Sequence, residues 1–132
     1  MIIGVPKEIK EDEYRVSLLP STAKKLRERG HQVLIEKNAG VGSGIKDEEY
    51  LKSGAEISDS GAEIFKRAEL VVKVKEPQEK ECPLLQEGQI LFTFFHFASS
   101  RRLTEAMIKS KIIALAYEMV QKDDGSLPLL AP

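Results

Sequence analysis

Two apolar runs of this chain end in ionisable residues. One is Leu70-Val71-Val72-Lys73-Val74-Lys75-Glu76-Pro77 and the other is Ile90-Leu91-Phe92-Thr93-Phe94-Phe95-His96. A buried strand has no structural need for a lysine or a histidine at its end. Small ligands of α/β proteins bind at the carboxyl ends of the strands. Lys75 would supply a compact fixed cation there, and His96 a group able to give and take a proton. Arg15 follows the first apolar run and falls on the same sheet edge. Together the three suit an α-keto or α-amino acid. A guanidinium forks onto a carboxylate, an ammonium polarises the neighbouring carbonyl, and an imidazole moves protons as carbonyl, carbinolamine and imine interconvert.

Taken singly, each residue also has a structural explanation. Lys75 can cover apolar surface with its stem, His96 can be a boundary histidine with one satisfied ring nitrogen, and Arg15 can form a surface ion pair within the charged Lys7 to Glu13 stretch. Lys73 shares a face with Lys75 but lies farther from the strand end, so it is expected to be a solvated structural residue. Glu118 closes the last apolar run on the same edge and is a minor site candidate, with an exposed strand-end carboxylate the favoured expectation. His31 follows a helix cap at the surface. Cys82 has no basic neighbour that would make it a nucleophile.

The elements that must position these residues are legible. Ile2 to Val5 is a strand stopped by Pro6. Pro20 opens a helix with Ala23, Leu26 and Leu19 on its inner face, and Gly30 ends it. Gln32 to Glu36 is the next strand. The Asn38 to Gly44 loop is expected to be the most flexible part of the chain. Asp47 caps a short helix to Lys52. A helix over Ser60 to Arg67 precedes the Leu70 to Lys75 strand. A turn near Pro83-Leu84-Leu85 leads to the Ile90 to Phe95 strand, a helix over Leu103 to Lys111, a strand over Ile112 to Tyr117 and a turn at Asp123 to Ser126. Strands alternating with helices predict an α/β domain whose mostly parallel sheet carries helices on both faces. The nearly all-apolar strands agree, since a parallel sheet buries both faces.

The 132 residues fit one core. The balance of 21 acidic against 20 basic residues gives a net charge of −1, with no basic excess that would suggest nucleic acid. A single cysteine excludes an internal disulfide. The opening Met1 to Pro6 is not a signal peptide, and the Ile90 to Ala98 stretch is too short to span a bilayer, so the expected compartment is the cytoplasm. Gly40-Val41-Gly42-Ser43-Gly44 has the spacing G-x-G-x-G, not G-x-G-x-x-G, and reads as a turn rather than a dinucleotide loop. The apolar ending Leu127 to Pro132 suggests a longer chain cut between two domains.

Several stretches, in order along nearly the whole chain, carry a family resemblance. They are Met1 to Lys10, Arg15-Val16, Gly30 to Glu36, Gly40 to Gly44, Val71 to Pro77, Leu91 to Ala98, Ala116-Tyr117-Glu118 and Asp124 to Pro132. The chain resembles the N-terminal part of the alanine dehydrogenase and pyridine nucleotide transhydrogenase family. The resemblance implies a Rossmann-like or flavodoxin-like substrate domain over residues 1–132. It implies NAD-dependent, reversible conversion of L-alanine and water to pyruvate and ammonia, in a homo-oligomer that is commonly hexameric. Arg15 would bind the substrate carboxylate, Lys75 the carboxylate and keto oxygen, and His96 would act as acid and base. A tyrosine is common in the family where Phe94 stands. NAD would be held by a domain absent from these residues, so this part alone should not transfer hydride. Two alternatives stay open: the α subunit of proton-translocating transhydrogenase, and a non-enzymatic domain that binds a small acid or a partner.

Overall fold

The computed structural model describes residues 1–131. Six parallel strands form one sheet: β1 (Ile2–Val5), β2 (Gln32–Glu36), β3 (Glu56–Ser58), β4 (Leu70–Val72), β5 (Ile90–Thr93) and β6 (Ile113–Ala116). The helices are α1 (Pro20–Glu28), α2 (Asp47–Lys52), α3 (Gly61–Arg67) and α4 (Arg101–Ser110). The strand order is β3-β2-β1-β4-β5-β6. Of the two common doubly wound orders this is the one with its switch point between β1 and β4. There the chain, having built outward to one side, returns to build on the other.

Register sorts the side chains into two cores. Ile3 pairs with Val33 and Val5 with Ile35, which places them on one face, where Val5, Val33 and Ile35 cluster with Ala23 of α1 and Tyr50 of α2. Gly4 pairs with Leu34 and with Val71, and Val71 with Leu91, which places them on the other face. That face packs Val71 and Leu91 against Phe65 of α3 and against Leu103 and Met107 of α4. Each fully buried side chain of this kind contributes about 1.5–3 kcal/mol. Gly4 has a specific reason to be glycine. A Cβ there would meet Ala68 Cβ and Ile64 Cγ2, each at 2.7 Å, so its absence lets α3 lie close on the centre of the sheet.

Local chemistry sets the helix ends. Pro20 starts α1, and Gly30 beyond its end has φ +88°. Ser60 and Ser100 cap α3 and α4 with their hydroxyls, which accept from the Glu63 and Leu103 amides. Asp47 is the first residue of α2 rather than its cap, and its carboxylate accepts instead from the Asn38 amide. Leu19 stands half exposed, and Leu18 packs on the core in its place.

Four expectations are corrected. β3 has no counterpart in the sequence reading, because Glu56-Ile57-Ser58 is short and polar. β4 and β5 end at Val72 and Thr93, so Lys75 and His96 lie in the segments beyond the strands. The Gly40 to Gly44 loop is a tight turn, not a loose one: the Ser43 hydroxyl donates to the Tyr14 carbonyl, and a Cβ on Gly42 would come within 2.6 Å of that same oxygen. β6 carries Ile113 and Leu115 about half exposed, unlike the other strands of the sheet.

Candidate functional site

The chain leaving β4 is tied down residue by residue. The Ser17 hydroxyl donates to the Val72 carbonyl at 2.8 Å, and the Tyr117 hydroxyl donates to the Val74 carbonyl at 2.7 Å. The amides of Val74 and Lys75 donate to the Glu8 carboxylate at 3.2 and 2.9 Å, and the Thr93 hydroxyl donates to the Lys75 carbonyl at 2.7 Å. Lys73 is not solvated, as its position suggested. It is 1 % exposed, and its ammonium donates to Glu8 at 3.0 Å and lies 3.3 Å from Glu81. A buried cation needs such partners, and Glu81 is itself buried, which pushes its carboxyl above the usual range against the pull of Lys73.

Lys75 differs from Lys73. Its side chain is half-buried and makes no ion pair among the described residues. Its ammonium instead lies 5.5 Å from the centre of the Phe94 ring, within the range of a cation–π contact. The ring of Phe94 stands 5.7 Å from that of His96 and 6.2 Å from that of Tyr117. The ends of β4 and β5 therefore bring Lys75 and His96 to one aromatic.

His96 is exposed and left-handed, with φ +49° and ψ +51°. Its neighbours are fixed. Phe95 is fully buried and stacks on Phe97 with ring centres 4.6 Å apart. The Phe95 amide donates to both oxygens of Glu118, each at 3.1 Å. The His96 carbonyl accepts from the amide and the hydroxyl of Ser99 at 3.0 and 2.8 Å. Glu118 is thus a buried carboxylate with a backbone partner, not the exposed strand end expected.

Arg15 is exposed and lines a cleft of about 530 Å³ just outside the carboxyl ends of β1 and β4, with Ser17, Val74, Phe92 and Tyr117 among its walls. The walls of this cleft come from the segment after β1, from the ends of β4 and β5 and from the segment after β6; Lys75 and His96 are not among its lining residues. The Arg15 guanidinium forks onto Glu13, donating from Nε at 2.9 Å and Nη2 at 2.6 Å. Those bonds hold the Glu13 carboxyl down at about 2. A second carboxylate arriving at Arg15 must share the guanidinium with Glu13 or displace it.

Glu8, Glu81, Thr93 and Tyr117 have no local signature in the sequence. One signal was available for the first two: a lysine inside an apolar run demands a buried carboxylate, and loop glutamates are the ready source. Cys82 is half-buried and its thiol is pushed up by that burial, which suits an unreactive cysteine. His31 Nδ1 accepts from the N-terminal ammonium at 3.0 Å, and His31 is not among the cleft's lining residues.

The family model described as alanine dehydrogenase/PNT, N-terminal domain, matches residues 4–132. The chain belongs to this family. Similar family members include alanine dehydrogenases of Methanococcus maripaludis, 52% identical over the whole chain, and of Mycolicibacterium smegmatis, 46% identical over the whole chain. The chain spans about a third of their length, 35% and 36%. Among solved structures, an L-alanine dehydrogenase superposes with a TM-score of 0.96 at 48% identity, covering 98% of this chain and 36% of that one. A transhydrogenase from Sinorhizobium meliloti follows at a TM-score of 0.86 and 29% identity, covering 92% of this chain and 36% of that one. No helix among the described residues is long and apolar enough to cross a membrane.

Proposed function

We propose that this chain is the substrate-binding domain of a cytoplasmic, homo-oligomeric NAD-dependent L-alanine dehydrogenase. The observation that carries the reading is the placement of Lys75 and His96 on adjacent strand ends against the one Phe94 ring. The stronger likeness to alanine dehydrogenase than to transhydrogenase supports the choice of substrate. The reaction is L-alanine + NAD⁺ + H₂O → pyruvate + NH₄⁺ + NADH + H⁺.

The residues of this chain do not fit the dinucleotide. In a nucleotide-binding sheet of this order the turn after β1 is short and glycine-rich and leads straight into a helix. Here residues 6–19 separate β1 from α1 and contain no glycine. In the turn over Gly40 to Gly44, Gly42 lies close against the Tyr14 backbone and Gly40 against Ile45 and Tyr50. NAD therefore belongs to a domain outside these residues, and the work assigned here is binding and proton movement.

Arg15 takes the amino acid carboxylate with its guanidinium. Lys75 lies beside that carboxylate and donates to the oxygen on the reacting carbon. In the hydrolytic half, water adds to the iminium carbon as His96 takes its proton, forming the C–O bond of the carbinolamine. His96 passes that proton to nitrogen, then takes the proton of the carbinolamine hydroxyl as the C–N bond breaks, so that ammonia leaves and Lys75 stabilises the oxygen that becomes the keto group of pyruvate; the second proton leaves with the products as NH₄⁺ or H⁺.

Calorimetry decides between the readings. Pyruvate binding to the full-length protein should weaken in both Arg15→Ala and Lys75→Ala. Binding that is indifferent to both changes would favour the transhydrogenase or a non-enzymatic domain. His96→Ala should lower turnover by about two to four orders of magnitude, and an unchanged rate would remove His96 from the mechanism.

A further inference from the structure

Lys75 and His96 are each carried on a peptide unit clamped from both sides, and each clamp has a buried carboxylate at its amide end. At Lys75 the amide donates to Glu8 at 2.9 Å and the carbonyl accepts from Thr93 at 2.7 Å. At His96 the preceding amide, that of Phe95, donates to Glu118 at 3.1 Å, and the carbonyl accepts from Ser99. Bonds from amides to a charged acceptor are stronger than neutral ones, and stronger again away from water. Glu8 is 6 % exposed and Glu118 9 %. Glu118 lines neither hollow beside Arg15, and Glu8 lines only the smaller one of about 370 Å³, on the side of Glu13 and Tyr14.

We propose that Glu8 and Glu118 are the positioning residues of this domain, Glu8 setting the height of Lys75 and Glu118 setting the aim of His96. The assignment rests on the substrate-site reading above. Glu8 acts through a rigid block: Lys73 neutralises it and Glu81 steadies Lys73, so the carboxylate that holds the Lys75 amide cannot swing. Glu118 acts on a backbone that would otherwise relax, because a histidine in the left-handed region is held there at a local cost. A misplacement of about 1 Å at a reacting group costs roughly a hundredfold in rate. Shortening either carboxylate by one methylene imposes a shift of that order.

The two roles leave different kinetic signatures. Lys75 touches the bound substrate in every state, whereas His96 acts as protons move. In the full-length dehydrogenase, Glu8→Asp should raise KM for pyruvate at least about fivefold, while Glu118→Asp should lower kcat at least about tenfold with KM within twofold. Glu118→Gln keeps an acceptor oxygen for the Phe95 amide and should recover kcat to within about threefold of the parent. Melting curves accompany each variant. Kinetic constants like the parent's, or losses that fall equally on kcat and KM for both residues, overturn the assignment. If Glu8→Asp fails to fold, the Glu118 pair decides, because Glu118 has no ion-pair partner among the described residues whose loss would unfold the domain. Lys75→Ala and His96→Ala run in the same assay. Full activity in those two defeats the substrate-site reading itself; lost activity there, with no split between Glu8 and Glu118, defeats only the positioning roles.

Discussion

The ammonium of Lys75 lies 5.5 Å from the centre of the Phe94 ring. The His96 ring lies 5.7 Å from the same ring, so Phe94 sets the separation of the two residues that we propose act on the substrate. Phe94→Ala should lower kcat/KM for pyruvate in the full-length enzyme by about tenfold, the scale of a partly desolvated cation–π contact. Phe94→Tyr keeps the ring and should stay within about threefold. Steady-state kinetics on the two variants checks this, and equal effects would show that the ring is filler.

The buried Lys73 should be a stability residue. Lys73→Ala leaves Glu8 and Glu81 as buried carboxylates without their cation. Breaking such a group from one side costs about 3–5 kcal/mol. Urea unfolding of the isolated domain measures it, and a loss under 1 kcal/mol would mean that water reaches the group.

Glu13 should titrate far below an ordinary glutamate, at about 2, because Arg15 holds its ionised form. Carboxyl NMR titration of Arg15→Ala should move that midpoint up toward 4.5, the ordinary value. The lowered value means that the pair's contribution to stability is complete above pH 4.5 and is lost as pH falls toward 2. The effect on stability is small, since Arg15 stands in solvent.

Tyr50 predicts an alkaline limit. Burial pushes its hydroxyl up to about 12, and that hydroxyl donates to the Leu18 carbonyl at 2.7 Å. The unfolded chain ionises Tyr50 near 10 while the folded one does not, so its contribution holds below pH 10 and falls away as pH rises toward 12. Tyr50→Phe should be less stable at pH 7 by about 1 kcal/mol and should lose less between pH 10 and 11, as read by chemical denaturation at each pH.

The fold was open to reading from sequence because apolar period and punctuation agreed along the chain. Pro20, Gly30 and Ser60 mark real helix ends, and the strands around Val33, Val71 and Leu91 lie where their apolar runs do. β3 escaped because a three-residue edge strand is defined by its partner β2 and not by its own residues. Lys75 and His96 were legible as oddities at the ends of apolar runs. Their supports were not. Glu8 reaches Lys73 and Lys75 across the fold, and Glu118 reaches Phe95 from beyond β6, so only tertiary structure distinguishes them from the other glutamates. Lys73 misled for the same reason: its charge argued for solvent, and its partners lay elsewhere in the chain.

The positive φ of His96 sets stability and chemistry against each other at one residue. Glycine takes that conformation without penalty and asparagine with little. A selection for heat resistance alone would therefore tend to discard the imidazole, and with it the proton carrier that we propose His96 to be. On the proposed role of His96, anyone hardening the full-length protein for use as a catalyst should fix position 96 before the first round.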